Sequence, residues 1–201
     1  MIKRNLLVMG LAVLLSACGF QLRGTGTTEL AIKELDLSAR NAYGETVVQM
    51  RKTLESGGVK VYVGAPYKLV FTNEQESLRT LSYIGGAQSA EYELTTVLNY
   101  EIVGHNKLSL IDDKLQVQKV YMHDGNNLAG SDQEAAEARK EIRRELVQRM
   151  MLRLQQLTPA QLDQLQQTAD ARAKAETDAL EAARKAEADT PRQSPLQLPA
   201  E

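Results

Sequence analysis

The chain has 201 residues, with 24 Lys and Arg against 26 Asp and Glu, two His and one Cys. A net charge of −2 argues against a nucleic-acid-binding protein, because such proteins usually carry a strong basic excess. The single Cys excludes an intramolecular disulfide and a cluster of Cys ligands around a metal, and two His leave little room for a zinc or iron site.

Residues 1–17 have the pattern of a secretory signal peptide. Lys3 and Arg4 precede an uncharged, apolar segment over residues 6–15. This segment is shorter than the about 20 apolar residues that span a bilayer as a helix. The alternative is an N-terminal core helix, but the segment is apolar on every side, whereas a surface helix carries one apolar stripe.

The segment ends in Leu15-Ser16-Ala17-Cys18, which resembles a bacterial lipobox. Small residues before the cysteine give the signal peptidase access to the backbone, and the Cys18 thiol becomes the thioether to diacylglycerol. We therefore predict that Cys18 carries the lipid and anchors the mature chain, since stable anchoring requires more than one acyl chain. Gly19 in place of Asp indicates the periplasmic side of the outer membrane. The alternative is an incidental Cys at an ordinary cleavage site.

A short motif follows the predicted anchor. Gly19, Phe20, Leu22 and Arg23 stand where most lipoproteins continue with a Ser/Gly linker. This start resembles the lipopolysaccharide-assembly lipoprotein family LptE, whose mature proteins begin Cys-Gly-(Phe/Trp)-x-Leu-Arg. The resemblance extends over about residues 18–157, more in pattern than in identities. A simpler interpretation, compatible with the first, is that Phe20 and Leu22 pack on the domain and shorten the tether.

A strand, a helix and a second strand come next. Residues 18–30 are interpreted as the lipidated N-terminus and linker, because 25–30 are rich in Thr and Gly. Residues 32–37 alternate as a strand does, and a helix is predicted over 42–56. The helix has one apolar stripe, formed by Tyr43, Val47, Met50 and Leu54. Gly57 and Gly58 end it, and the following strand at 59–63 suggests a parallel pair.

Three longer strands are predicted over about 67–84, 89–103 and 108–122. The middle one alternates most clearly, with Tyr92, Leu94 and Leu98 on one face. Because strands of this length outrun the helices that could cover them, the hairpin tip at 83–92 requires another partner. A solvated hairpin tip is the alternative.

A long helix and a charged tail complete the chain. Ser131 and Glu134 suggest a capping box, and an apolar stripe continues to about residue 157. This completes an α+β domain at 31–157. Residues 158–201 are rich in Ala, Glu, Lys, Arg and Gln, so we expect a fraying helix and a disordered tail that the fold does not need. A coiled-coil segment is the alternative.

The sequence contains no recognisable catalytic site. His105 stands in a predicted turn and His123 beside Asp124, and neither has a nucleophile close by in sequence. No base, nucleophile and oxyanion-binding group occur together. We therefore expect a binding or assembly protein, without a cofactor, rather than an enzyme.

The resemblance to the LptE family implies a more specific role. Its members sit largely inside the outer-membrane β-barrel LptD as a plug, are required for that barrel to fold, and bind lipopolysaccharide, which the two proteins place in the outer leaflet. The implied fold is an α+β two-layer sandwich, with two helices on a four-stranded mixed sheet. The alternative is a periplasm-facing lipoprotein that scaffolds another envelope complex or binds peptidoglycan.

Cations on the predicted strands are candidates for binding lipopolysaccharide phosphates. Arg79, Lys114 and Lys119 have fewer acidic neighbours at strand spacing than the helix cations, many of which have a Glu three or four residues before them. Ordinary solvated strand charges are the alternative interpretation for each.

Overall fold

The computed structural model describes residues 30–84 and 89–189, so the predicted lipid site Cys18 and the motif Gly19, Phe20, Leu22 and Arg23 lie outside the described residues. In order, the elements are β1 (Glu34–Ala39), α1 (Glu45–Ser56), β2 (Lys60–Val61), β3 (Lys68–Ile84), β4 (Ser89–Val103), β5 (Ser109–Asp124), α2 (Leu128–Gln155) and α3 (Pro159–Asp189). One mixed sheet has the strand order β2-β1-β3-β4-β5.

The predicted α+β class is confirmed, but the count of four strands and two helices is wrong. The described segments contain five strands and three helices. The fifth strand, β2, lies within the strand predicted at 59–63, and Lys60 and Val61 pair in parallel with Glu34 and Leu35 of β1 as predicted. The third helix, α3, corresponds to the fraying helix predicted after residue 158 but continues to Asp189, because its Ala, Glu, Lys and Arg residues have high helix propensity even though most of them remain exposed.

The core lies between one face of the sheet and the helices α1 and α2. Met50 and Leu54 of α1 and Ile142 and Leu146 of α2 are at most 1% exposed, as their apolar stripes predict. Tyr43 does not belong to the stripe, because α1 begins only at Glu45 and leaves Tyr43 exposed. At the other end, Gly58 takes the positive φ of 81° that stops the helix.

The start of α2 differs from the predicted capping box. The helix begins three residues earlier, at Leu128, and the side chain of Asn127 accepts from the Gly130 N–H at 3.1 Å. Ser131 is buried instead, and its hydroxyl accepts from the Asp124 N–H at 2.8 Å. This contact ties the first turn of α2 to the last residue of β5.

Helix α3 packs its first turns against the domain. Leu162 is 1% exposed and belongs to the core, and the Gln166 amide oxygen accepts from the His105 N–H at 3.1 Å. Gly104 lies beneath this amide, where a Cβ would overlap the Gln166 oxygen. Residues 174–189 are exposed along their whole length.

Candidate functional site

One face of the β3–β4–β5 sheet is turned away from the helices. Side chains of β4 alternate between buried and half-buried, and the half-buried ones include Glu91, Glu93, Thr95 and Asn99. Paired residues of an antiparallel ladder share a face, so Gln118 joins them because it pairs with Thr95. We call this polar surface the open face.

The open face carries its own polar contacts. Arg79 of β3 pairs with Glu93 of β4, with Nη2 and Oε1 3.0 Å apart. One step nearer the hairpin tip, the Ser82 hydroxyl donates to the Glu91 carboxylate at 2.8 Å. The surface is therefore hydrogen-bonding and of mixed charge, which suits a wet environment.

The three candidate cations do not converge on one site. Arg79 and Lys114 lie on the open face, in the rows of Glu93 and Asn99. These rows are six residues apart on β4, which corresponds to about 20 Å at about 3.3 Å per residue. Lys119 points to the opposite face.

Two of these cations have acidic partners that sequence spacing does not reveal. Besides the Arg79–Glu93 pair, Lys119 Nζ lies 3.6 Å from Glu141 and 3.5 Å from Glu145, both on α2. In the part of the chain that the structure describes, Lys114 forms no side-chain ion pair. These ion pairs depend on strand register and helix packing. Neighbours along one strand do not reveal acidic partners on another element, so the sequence could not predict them.

Glu145 is the most strongly engaged acid of this group. Arg149 donates to its carboxylate at 2.6 Å, and this hydrogen bond, opposed in part by burial, lowers the pKa of Glu145 below its ordinary value. The Lys119 ammonium lowers the pKa further. Lys119 is thus part of a strand-to-helix charge network, whereas the Lys114 ammonium, on the open face, has no acidic side-chain partner among the described residues.

The hairpin end of the sheet has exposed apolar side chains and a small aromatic cluster. Leu78 and Tyr83 of β3 are 52% and 69% exposed. Beside them, Tyr92 stacks on Tyr121 with centroids 5.9 Å apart and meets His123 edge-on at 5.3 Å. Sequence analysis missed this cluster, although the spacing of Tyr121 and His123 on β5 signals a shared face.

Burial of this cluster raises the pKa of the Tyr121 phenol, an effect that the Arg139 charge partly opposes. The turn residues 85–88 lie outside the described residues, so the expected partner of the tip stays a prediction.

Two other kinds of site are absent from residues 30–84 and 89–189. No group of three or more His, Cys, Asp and Glu is arranged to hold a metal ion there. Within the same residues, each helix is too short or too polar to cross a membrane.

Comparison with known proteins identifies related chains. A family model described as lipopolysaccharide-assembly, LptE, matches residues 32–154. The LPS-assembly lipoprotein LptE of Yersinia pestis (strain Pestoides F) is 26% identical over 171 residues, which cover 82% of this chain and 81% of that protein. The LptE of Yersinia pseudotuberculosis serotype O:1b (strain IP 31758) has the same identity and coverage.

Solved structures show the same fold. Rare lipoprotein B of Shewanella oneidensis aligns with a TM-score of 0.55 and 23% identity, covering 60% of this chain and 92% of that one. An uncharacterized lipoprotein B of Nitrosomonas europaea aligns with a TM-score of 0.54 and 19% identity, covering 69% and 89%. Because the family match spans more than half of the chain and includes every strand and the helices α1 and α2 almost entirely, this protein belongs to the LptE family of lipopolysaccharide-assembly proteins.

Proposed function

We propose that this protein is an outer-membrane lipoprotein, anchored through Cys18 on the periplasmic side, that occupies the lumen of the LptD β-barrel as a plug. In this role it assists assembly of the barrel and helps insert lipopolysaccharide into the outer leaflet. The observation that supports the plug is the open face, since a barrel lumen is polar and wet and favours a hydrogen-bonding surface of mixed charge.

The proposed organisation follows from the anchor. Residues 1–17 are removed, 18–30 tether the chain, 31–157 form the domain, and 158–201 form a tail whose first turns pack on that domain. Tethering restricts the domain to the neighbourhood of the membrane, so its effective concentration beside the barrel rises without any new contact.

Lipopolysaccharide binding is proposed for cations of the open face. Lys114 is available without breaking an ion pair, and Arg79 has to exchange a surface pair that contributes only about 0–1 kcal/mol. Lys119 remains a candidate for a ligand on the helix side, where it has to leave two carboxylates.

Barrel partnership is tested by purification of the tagged protein from outer membranes. We expect a stable one-to-one complex with LptD, and a photo-crosslinker at position 86 should capture the barrel. A crosslinker at Arg144, on the polar side of α2, serves as the comparison. Recovery of a freely extractable monomer would favour the scaffold or peptidoglycan-binding alternative, and capture only from position 144 would reverse the proposed orientation.

Lipopolysaccharide binding is tested with matched charge-neutral variants. Arg79→Gln with Lys114→Gln should weaken binding by a few kcal/mol at most, at about 1.5–3 kcal/mol per charged hydrogen bond. The loss should shrink as salt is raised. Lys114→Gln alone is the matched partner of Lys119→Gln, which removes the same single charge on the opposite face, so a larger loss in Lys119→Gln would move the site to the helix side.

A further inference from the structure

Among residues 30–84 and 89–189, no strand pairs with the outer side of the distal half of β3, which is therefore a sheet edge. β1 pairs with β3 only from Lys68 to Phe71, whereas β3 continues to Ile84. Beyond Phe71, β3 is paired on one side only, with β4. Residues 73–79 are all exposed. We call residues 73–83 the free edge.

The backbone groups that point away from β4 can be identified. The Tyr67 carbonyl accepts from the N–H of Asp36 in β1 at 2.9 Å, and the Phe71 carbonyl accepts from the N–H of Arg40, directly after β1, at 3.0 Å, so Tyr67 and Phe71 turn their backbone toward that side. The Phe71 side chain faces the core. The register shift between Phe71 and Asn73 adds one residue to β3, so that Glu74, three residues after Phe71, lies on the same face of the sheet. Backbone direction alternates with side-chain face, so the outward amides belong to Glu74, Glu76, Leu78 and Thr80.

The other long edge of the sheet, the outer side of β5, has backbone groups that are already bonded to side chains of α2. On β5, the Asp124 N–H donates to Ser131 at 2.8 Å and the Met122 N–H to Glu134 at 3.2 Å, while Arg149 donates to the Gln116 carbonyl at 2.8 Å. Side chains of α2 thus block strand addition there.

The free edge has no such protection: within the described part of the chain, its outward amides and carbonyls have no partner. A long unprotected edge is either an aggregation site or a docking site for a strand.

Neither terminal segment of this chain suits the position. Residues 18–29 precede Leu30, which lies just before β1. Because β1 runs parallel to β3 and pairs with its first residues, a segment that starts at Leu30 has to run at least about 40 Å along the sheet before it reaches Leu78. Twelve extended residues span about 40 Å, which leaves none to pair. Residues 190–201 follow α3, which docks beside the β4–β5 turn at the opposite end of the sheet.

We propose that the free edge of β3 receives an extended segment of the barrel partner as an additional strand. Residues 73–77 of the free edge are polar on both faces, whereas Leu78, Leu81 and Tyr83 are exposed apolar side chains. Within the polar part, Glu74 accepts from the Thr46 hydroxyl and Glu76 pairs with Arg139. The added strand should therefore be polar beside residues 73–77 and apolar beside residues 78–83. The inference rests on the proposed barrel partnership and names the surface that makes the contact.

The test separates the backbone from the side chain at one outward position. Leu78→Pro removes the outward N–H and should be tolerated, because Pro is accepted on a strand edge whose N–H faces solvent. Leu78→Ala truncates the same side chain and keeps the N–H. We expect Leu78→Pro to lower recovery of the barrel in pull-downs about tenfold or more and Leu78→Ala to leave it nearly unchanged.

A second measurement keeps the proposal testable if Leu78→Pro unfolds, which thermal unfolding of the purified variant will show. Amide hydrogen exchange at the outward positions Glu74, Glu76, Leu78 and Thr80 should be fast in the free protein and slow in the complex with the barrel, whereas Gln75, Ser77 and Arg79, whose N–H groups face β4, serve as internal controls. Equal exchange in both, or full barrel capture by a folded Leu78→Pro variant, would overturn the proposal and leave the barrel partnership standing. A dimer of the purified chain that Leu78→Pro dissociates would assign the edge to a second copy and also overturn it.

Discussion

The contact between α3 and the domain leads to a different prediction about truncation of the chain than the sequence does. Composition indicates that residues after Leu157 are dispensable for the fold, whereas the structure buries Leu162 and bonds Gln166 to the β4–β5 turn. We therefore expect a chain truncated after Leu157 to be destabilised. A chain truncated after Ala173 keeps the docked turns and should unfold at the full-length temperature.

The magnitude follows from the contacts that are lost. Burial of a Leu side chain contributes about 1.5–3 kcal/mol, and the Gln166–His105 hydrogen bond adds about 1 kcal/mol. We expect truncation after Leu157 to cost about 3 kcal/mol, which lowers the thermal midpoint of a domain of this size by about 6–12 °C. Leu162→Ala should account for most of this loss.

The assay is thermal unfolding of soluble protein that begins after Cys18, followed by circular dichroism. Leu180→Ala is the matched control, because Leu180 lies on the same helix and is 59% exposed, so its truncation should change stability by less than about 0.5 kcal/mol. Equal midpoints for the chains ending at Leu157 and Ala173 would refute the reasoning.

A second route tests the same contact. Gly104→Ala places a methyl group against the Gln166 amide and should destabilise the domain. Adding Gln166→Ala removes the obstructing oxygen, so the double variant should recover part of the loss. Strictly additive effects of the two changes would mean that the residues do not meet.

Three further predictions concern other contacts. Ser131→Ala should cost about 1–3 kcal/mol in chemical denaturation, because it leaves the Asp124 N–H without its hydroxyl acceptor. Burial, and then the nearby Asp113 carboxylate, raise the pKa of Tyr100, so its stabilising contribution is complete below the unfolded value of 10.0 and falls as pH rises above it. Tyr100→Phe should therefore flatten the decline of the thermal midpoint between about pH 9 and 11, and an unchanged slope would exclude this phenol as the cause. Cys18→Ala should yield unprocessed or soluble precursor, and mass spectrometry showing an unmodified Cys18 in the wild-type mature chain would end the lipoprotein argument.

Periodicity was sufficient to predict the elements that form the core. The stripe of Val47, Met50 and Leu54 and the alternation of β4 each report a face buried along a whole element, so a local pattern determines them. Helix ends were less predictable. Asn127 and Ser131 both offer capping oxygens, and the choice between them depends on where β5 ends, which no local pattern contains.

The ion pairs of the candidate site could not be predicted from local sequence patterns either. Arg79 and Lys119 were selected because their own strands place few acids nearby, but their partners Glu93 and Glu141 lie on a neighbouring strand and on α2. Such pairings depend on register and helix packing. The burial of Leu162 was not predicted for a related reason, since one Leu in a polar segment gives no periodic pattern.

The two long edges of the β3–β4–β5 sheet differ in their contacts, and this difference connects the fold to the proposed partner. Ser131, Glu134 and Arg149 attach the β5 side to α2, and β5 holds β4 through an almost unbroken ladder. Among the described residues, the distal half of β3 depends on β4 alone for its strand pairing, and residues 73–77, which are polar on both faces, supply little hydrophobic pattern to fix the register. A strand added to the free edge would pair the side of distal β3 that the described residues leave unpaired. The barrel would then support a part of the sheet that is paired with only one strand of the described chain, while α1 and α2 keep the core intact in the free protein.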